Sequence, residues 1–262
     1  MVMNLNPANI DFILVNYFSE DYAKIAVESI YKFTKSPFNV LLIDNSNNKK
    51  LLRDTFKDFT KDNLYIINGY NQETPEERFS KEIKMYPTIG GIYGPGSLHH
   101  NKALNMGIDL CKSKYICHVD IDSLFLNYWE GDILPLLEDN LFVSHGESKG
   151  IAREYFMIWE KSKFENYNLR PDLSYVDTCG NLTLFCKEND IDYYICSNTM
   201  SLPNKASIHQ LPIESGTESY LPNNLPFHYH LGRGTSLKAM GQGEFRTQYI
   251  NLSKNYLYNN ET

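Results

Sequence analysis

The stretch Tyr115-Ile-Cys-His-Val-Asp-Ile-Asp-Ser-Leu124 runs apolar at its start and then releases two carboxylates, Asp120 and Asp122. An apolar run with few turn residues inside it reads as a buried strand. Open α/β sheets place their ligands at the C-terminal edge of such strands. Two aspartates at i and i+2 can hold a hard divalent cation through oxygen. Mg²⁺ and Mn²⁺ favour sites of this kind, in which few carboxylates are shared with the phosphates of a substrate. The stretch therefore points to a metal–diphosphate site at a sheet edge.

Upstream, residues 11–18 read as a strand, and Ser19 can cap a helix whose apolar positions are Tyr22, Ile25, Ala26, Ile30 and Phe33. Ser36-Pro37 stops that helix. Residues 39–44 form a second strand, 50–59 a helix and 64–68 a third strand. Strand–helix repeats with short links predict a parallel sheet. Residues 70–96 break the pattern with prolines and glycines, and long irregular connections are usually functional or mobile. Ser97 can cap a helix over 98–111 that feeds the Asp120 strand. Downstream, 128–138 reads as a helix and 141–144 as a short strand. Residues 183–186 and 193–197 read as short strands or helix pieces, and 201–226 as mostly loop. Phe245, Tyr249, Leu252 and Tyr256 share one helical face, a packing stripe. The expected architecture is a Rossmann-like α/β fold, a mostly parallel central sheet flanked by helices. One domain is expected over 1–262, with a nucleotide-binding half (8–126) and an irregular second half (127–262).

Composition narrows the function. The chain has 262 residues, 42% hydrophobic and 22% charged, so a packed core is expected. A formal net charge of −7 weighs against a nucleic-acid backbone as partner. Five cysteines form no C-x-x-C pair, which suggests reduced thiols and a cytoplasmic setting. No apolar run approaches the roughly 20 residues of a membrane span, and no signal-peptide pattern opens the chain.

Other candidate residues fall around the carboxylate pair. Asp44-Asn45 ends the second strand and can accept from a base N–H or ribose hydroxyl, or else serve as turn material. Asn16-Tyr17 offers an amide and a ring to the same base. The glycine-rich segment from Gly90 opens a helix, whose free N–H groups favour anions. His100 and Lys102 lie in its first turns and can approach a diphosphate. His228 and His230 sit at i and i+2, which on an extended segment share a face, so both imidazoles can point at one ion. Asp177 is either a general base or a helix cap.

Together these segments resemble the GT-A glycosyltransferases, in particular the broad family-2-like group. The resemblance rests on 12–18, Leu41-Leu-Ile-Asp-Asn45, Ser97-Leu-His-His-Asn-Lys-Ala-Leu-Asn105, the Asp120-x-Asp122 strand, Asp177-Thr-Cys-Gly180 and His230-Leu-Gly-Arg-Gly. It implies transfer of a sugar from a nucleotide-diphosphate donor, UDP first among candidates, to a glycan or other hydroxyl-bearing acceptor, with Mn²⁺ or Mg²⁺. Asp122 would meet the metal and Asp120 the ribose or metal. Asp44 would bind the nucleoside, and His230 or His228 would complete the metal shell. An inverting reaction needs a base, and the family's Glu-Asp pair is missing, so Asp177 is the nearest match. Two alternatives remain. Asp120-Ile-Asp122 also resembles the start of a haloacid-dehalogenase-like, Mg²⁺-dependent phosphohydrolase, although that motif normally opens its domain. The third reading is a non-catalytic sugar-nucleotide-binding module.

Overall fold

The structure, a computed structural model, describes residues 4–46, 48–69, 86–88, 91–93, 95–148, 150–172, 179–199, 216–232 and 243–259. The chain opens with β1 (Ile10–Asn16), α1 (Glu20–Phe33), β2 (Phe38–Asp44), α2 (Lys49–Thr55) and β3 (Leu64–Asn68). After the short pair β4 (Tyr86–Thr88) and β5 (Gly91–Tyr93) come α3 (Pro95–Leu110), β6 (Tyr115–Val119) and β7 (Ser123–Phe125). Then follow α4 (Glu130–Ile133), a 3₁₀ turn (Leu134–Leu137), β8 (Phe142–Ser144), β9 (Glu147–Ser148), β10 (Ile151–Ala152) and β11 (Phe156–Glu160). The rest comprises α5 (Lys161–Asn166), α6 (Gly180–Asn189), β12 (Tyr194–Ile195), β13 (Ser197–Asn198), β14 (Thr217–Tyr220), β15 (Pro226–His230) and α7 (Gly243–Asn259).

β1 and β2 are apolar on both faces because helices cover both. Side chains alternate across a strand, and here they divide between two cores. Phe12, Leu14, Val40, Leu42, Cys117 and Val119 pack with Tyr22 and Ala26 of α1. Ile13, Val15, Leu41, Ile43 and Ile116 pack with Ala103 and Leu104 of α3 on the other side. Gly107 lets α3 approach closely: a Cβ there would meet Ile13 Cγ2 at 2.6 Å. In α1, Glu20 and Asp21 open the helix and Lys32 closes it, which complements the helix dipole.

The seven strands of the main sheet run in the order β12-β8-β11-β6-β1-β2-β3. β1, β2, β3 and β6 are mutually parallel, and β11 lies antiparallel between β6 and β8. β1 has β2 on one side and β6 on the other, so the chain reverses its winding there. That is the topological switch point at which doubly wound sheets bind ligands. The opposite end of β1 is tied down by buried Asp11. Its carboxylate accepts from Lys112 N (2.7 Å), Ser113 N (2.8 Å), Ser113 Oγ (2.7 Å) and Asn39 Nδ2 (2.8 Å). One side chain thereby fixes β1, β2 and the turn before β6 in register.

A second, antiparallel sheet has the order β13-β14-β15-β7. Its β15–β7 pairing sets His230 opposite Ser123, and Leu231 N donates to Asp122 O at 3.0 Å. The expected α/β architecture is met. Of the two readings open for 183–186 the helix is the one found, within α6, and a local expectation is corrected: the 128–138 helix breaks into α4 and a 3₁₀ turn where Pro135 removes a donor. The helix expected over 50–59 ends at Thr55. No helix among the described residues is long and apolar enough to cross a membrane.

Candidate active site

Two strand ends at the switch point form the first part of the site. Asn16 and Asp44 are register partners across β1 and β2. Asp44 Oδ1 accepts from Asn16 Nδ2 (3.3 Å), Ser46 N (3.0 Å) and Ser46 Oγ (2.7 Å). Its Oδ2 is buried without a hydrogen-bond partner among the described residues. A buried acceptor left open is costly unless a ligand fills it. Asn16 is itself fixed, its Oδ1 accepting from Ser19 N at 3.2 Å. Asn45 Nδ2 donates to His99 O at 2.9 Å, tying the end of β2 to the first turns of α3. Tyr17 is half-buried, with its ring edge-on to Phe18 at 4.9 Å.

β6 and β15 deliver the second part. His230 Nε2 lies 3.1 Å from Asp122 Oδ1 and 3.4 Å from Asp120 Oδ2. Donor atoms of Asp120, Asp122 and His230 all fall within 4.8 Å of one another. Burial alone would lower the His230 pKa, but the Asp122 charge and hydrogen bonds to both carboxylates raise it to about 10. Burial alone would raise Asp120, and the bond and charge from His230 outweigh this and hold it well below the usual carboxylate range. A proton on His230 thus does locally what a cation would do: it offsets two carboxylates. Two carboxylates and one imidazole suit Mn²⁺ or Mg²⁺, so the donor set fits the ion expected from the sequence. Tyr155 supports the arrangement. Its ring stacks on His230 at 3.7 Å between centroids, and its carbonyl accepts from Asp120 N at 3.0 Å.

The remaining candidates separate. His100 reaches the site: its Nε2 is 4.0 Å from Asp120 Oδ1. Lys102 is exposed and lies about 200° round the helix from His100, so the two do not share a face. His228 and His230 both pack against His145, but among the described residues only His230 stands beside the two carboxylates. Nδ1 of His228 sits 2.8 Å from Nδ1 of His145, and its ring packs on Phe125 at 5.3 Å. Asp177 lies outside the described residues. Sequence reasoning missed His118, whose Nε2 is 3.7 Å from Asp120 Oδ1. Strand alternation was the available signal, since His118 stands two residues before Asp120 on β6. His145 and Tyr155 gave no such signal.

No protein-family model matches the sequence, and no curated protein matches it. Among solved structures, the chain resembles Staphylococcus aureus TarS 1–349, with a TM-score of 0.51 and 12% identity over 96% of this chain and 73% of that one. The mannosyltransferase PcManGT from Pyrobaculum calidifontis, in complex with GDP-Man and Mn²⁺, gives 0.48 and 11% over 72% of this chain and 55% of that one. Mouse xyloside xylosyltransferase 1 gives 0.45 and 9% over 71% and 84%. The chain spans about half the length of the mannosyltransferase. The likeness to TarS, together with the sheet order, establishes a GT-A type fold.

Proposed function

We propose that this chain, folded as a GT-A protein, is a glycosyltransferase that moves a sugar from a nucleoside-diphosphate donor to an acceptor hydroxyl. One observation carries the reading. Asp44, with an open buried carboxylate oxygen, and the Asp120–Asp122–His230 cluster lie on the same sheet edge at the switch point. A ligand spanning them has a hydrogen-bonding base at one end and an anionic, metal-binding group at the other. The fold weighs against the phosphohydrolase alternative, whose aspartates would open the domain.

Asp120, Asp122 and His230 would hold Mn²⁺ or Mg²⁺, which when bound supplies Lewis-acid stabilisation of the departing diphosphate. The chain's own groups do the rest. Asp44, held by Asn16 and Ser46, accepts from the base and fixes the nucleoside. Its single open oxygen suits the one ring N–H of uracil, so we take UDP as the donor nucleotide. Tyr155 keeps His230 aimed at the carboxylates. We assign Asp177 as the base that takes the acceptor proton in an inverting transfer, on the sequence alone. We also take 1–262 as one catalytic domain, because His230 from the second half meets Asp120 and Asp122 from the first. Five buried free thiols support a reducing, cytoplasmic setting.

The deciding experiment is a thermal-shift and turnover panel of UDP-, GDP- and CDP-sugars, with and without Mn²⁺. Metal-dependent stabilisation by a UDP-sugar together with release of UDP is the expected result. Stabilisation without turnover, over a range of acceptors, would leave a binding module. No response to any donor would overturn the assignment.

A further inference from the structure

Asp120 faces two sets of partners, one with each oxygen. Oδ2 looks to His230, at 3.4 Å. Oδ1 looks the other way, to His118 Nε2 at 3.7 Å and His100 Nε2 at 4.0 Å. These three donor atoms also fall within 4.8 Å of one another. The separations are too long for hydrogen bonds, and neither imidazole Nε2 has a hydrogen-bond partner among the described residues. His118 is fully buried, so its open nitrogen is not satisfied by bulk water. The same separations suit ligands on one shared ion. With bonds of about 2.1 Å, two ligands of a tetrahedral ion stand roughly 3.4 Å apart, and no ligand pair exceeds ~4.2 Å.

We propose that His100, His118 and Asp120 form a second divalent-cation site, with the Asp120 carboxylate bridging it to the Asp120–Asp122–His230 site. Two imidazoles and one carboxylate select an imidazole-preferring ion such as Zn²⁺ over Mg²⁺. The backbone builds the site as directly as the first. His118 and Asp120 lie on the face of β6 that meets α3, and α3 brings His100 onto that face through its close packing at Gly107. The side chains of His100 and Asp120 are 27% and 20% exposed, which leaves an approach for the ion from solvent. The site shares Asp120 with the proposed donor site but does not depend on the donor reading.

The test counts ions. Chelator-stripped full-length chain is titrated with Zn²⁺ alone and with Mn²⁺ alone, with native mass spectrometry for stoichiometry and calorimetry for affinity. Two Zn²⁺ per chain are expected, falling to one in His118→Gln and one in Asp122→Asn. Changing a mere outer partner of a ligand costs 10–100-fold, so losing a ligand should weaken the affected ion by at least about 100-fold. His100→Ala, at a half-exposed helix position, repeats the test if His118→Gln does not fold. One Zn²⁺ in wild type, lost with Asp122→Asn and kept with both histidine variants, would overturn the second site and leave the proposed function standing. One Zn²⁺ lost with the histidine variants alone would support the second site and overturn the D-x-D metal reading.

Discussion

His228 Nδ1 and His145 Nδ1 lie 2.8 Å apart in the protein interior, so one ring donates and the other accepts. The accepting ring cannot take a second proton without breaking that bond, and a second proton on either ring buries a charge. Burial holds both pKa values well below the ordinary histidine range, helped by repulsion from neighbouring imidazoles. Burial likewise lowers His118 to about 4. His230 goes the other way, up to about 10.

These opposite shifts predict a stability maximum near pH 6.5 in the metal-free chain. Below that pH, the unfolded chain takes up protons on three histidines that the folded chain keeps neutral. Stability therefore falls with acid, by on the order of 3 kcal/mol for His118 alone between pH 6.5 and 4. Above pH 6.5, the unfolded chain loses the proton that folded His230 retains, so stability also falls as pH rises towards 10. Urea midpoints in chelator across pH 4.5–9 measure this. A profile flat from pH 5 to 6.5 would contradict the buried neutral rings. Saturating Mn²⁺ should flatten the alkaline side, because the ion replaces the His230 proton.

Asp122→Asn should abolish most Mn²⁺-dependent stabilisation while leaving the metal-free melting point near wild type. A ligand at a hundred times its Kd stabilises a folded chain by about 2.7 kcal/mol. Differential scanning fluorimetry with and without Mn²⁺ resolves a loss of that size.

Asp44→Asn keeps an oxygen for Asn16 and Ser46 but turns the open side into a donor. A hydrogen bond to a charged group contributes about 1.5–3 kcal/mol, so UDP affinity should drop roughly 10–100-fold, with or without metal. Calorimetry with UDP measures it, and unchanged affinity would remove Asp44 from the nucleoside site.

Asp177→Asn should melt near wild type and bind donor normally, yet transfer sugar about 10²–10⁴-fold more slowly, as loss of a general base requires. Normal transfer would discard the base assignment and favour a retaining mechanism.

Gly107→Ala should destabilise the chain by about 1–3 kcal/mol despite the better helix propensity of alanine, because its Cβ meets Ile13 Cγ2 at 2.6 Å. Combining it with Ile13→Val, which keeps Cγ2, should restore little. Ile13→Ala should restore more relative to its own background. Thermal melts of wild type, the three single variants and the two double variants decide.

The parts of the fold legible in the sequence are those whose burial is set locally. β1, β2 and β6 read as strands because helices cover both of their faces, and Asn16, Asp44, Asp120 and Asp122 follow as the polar residues that end them. β7 and β11 were not legible. β7 is three residues long and acquires its meaning only from pairing with β15, about a hundred residues later in the chain. β11 runs against its neighbours, which no periodicity within Phe156–Glu160 reveals. The surroundings of His228 were illegible for the same reason. Its spacing from His230 is visible in the sequence, whereas the ring of His145 that meets it comes from the turn after β8, more than eighty residues earlier.

The β7–β15 pairing also sets an order of events during synthesis. All seven strands of the main sheet lie before residue 196, so that sheet can assemble while the remainder of the chain is still being made. Asp120 and Asp122 are then already at its edge, but His230 is not yet present. Until the last strand docks on Ser123–Phe125, the Asp120–Asp122 pair lacks the imidazole of His230, and the ion that all three would hold is bound weakly. Completion of the Asp120–Asp122–His230 site thus marks the end of folding, and a chain truncated before β15 would carry the whole main sheet yet lack that site.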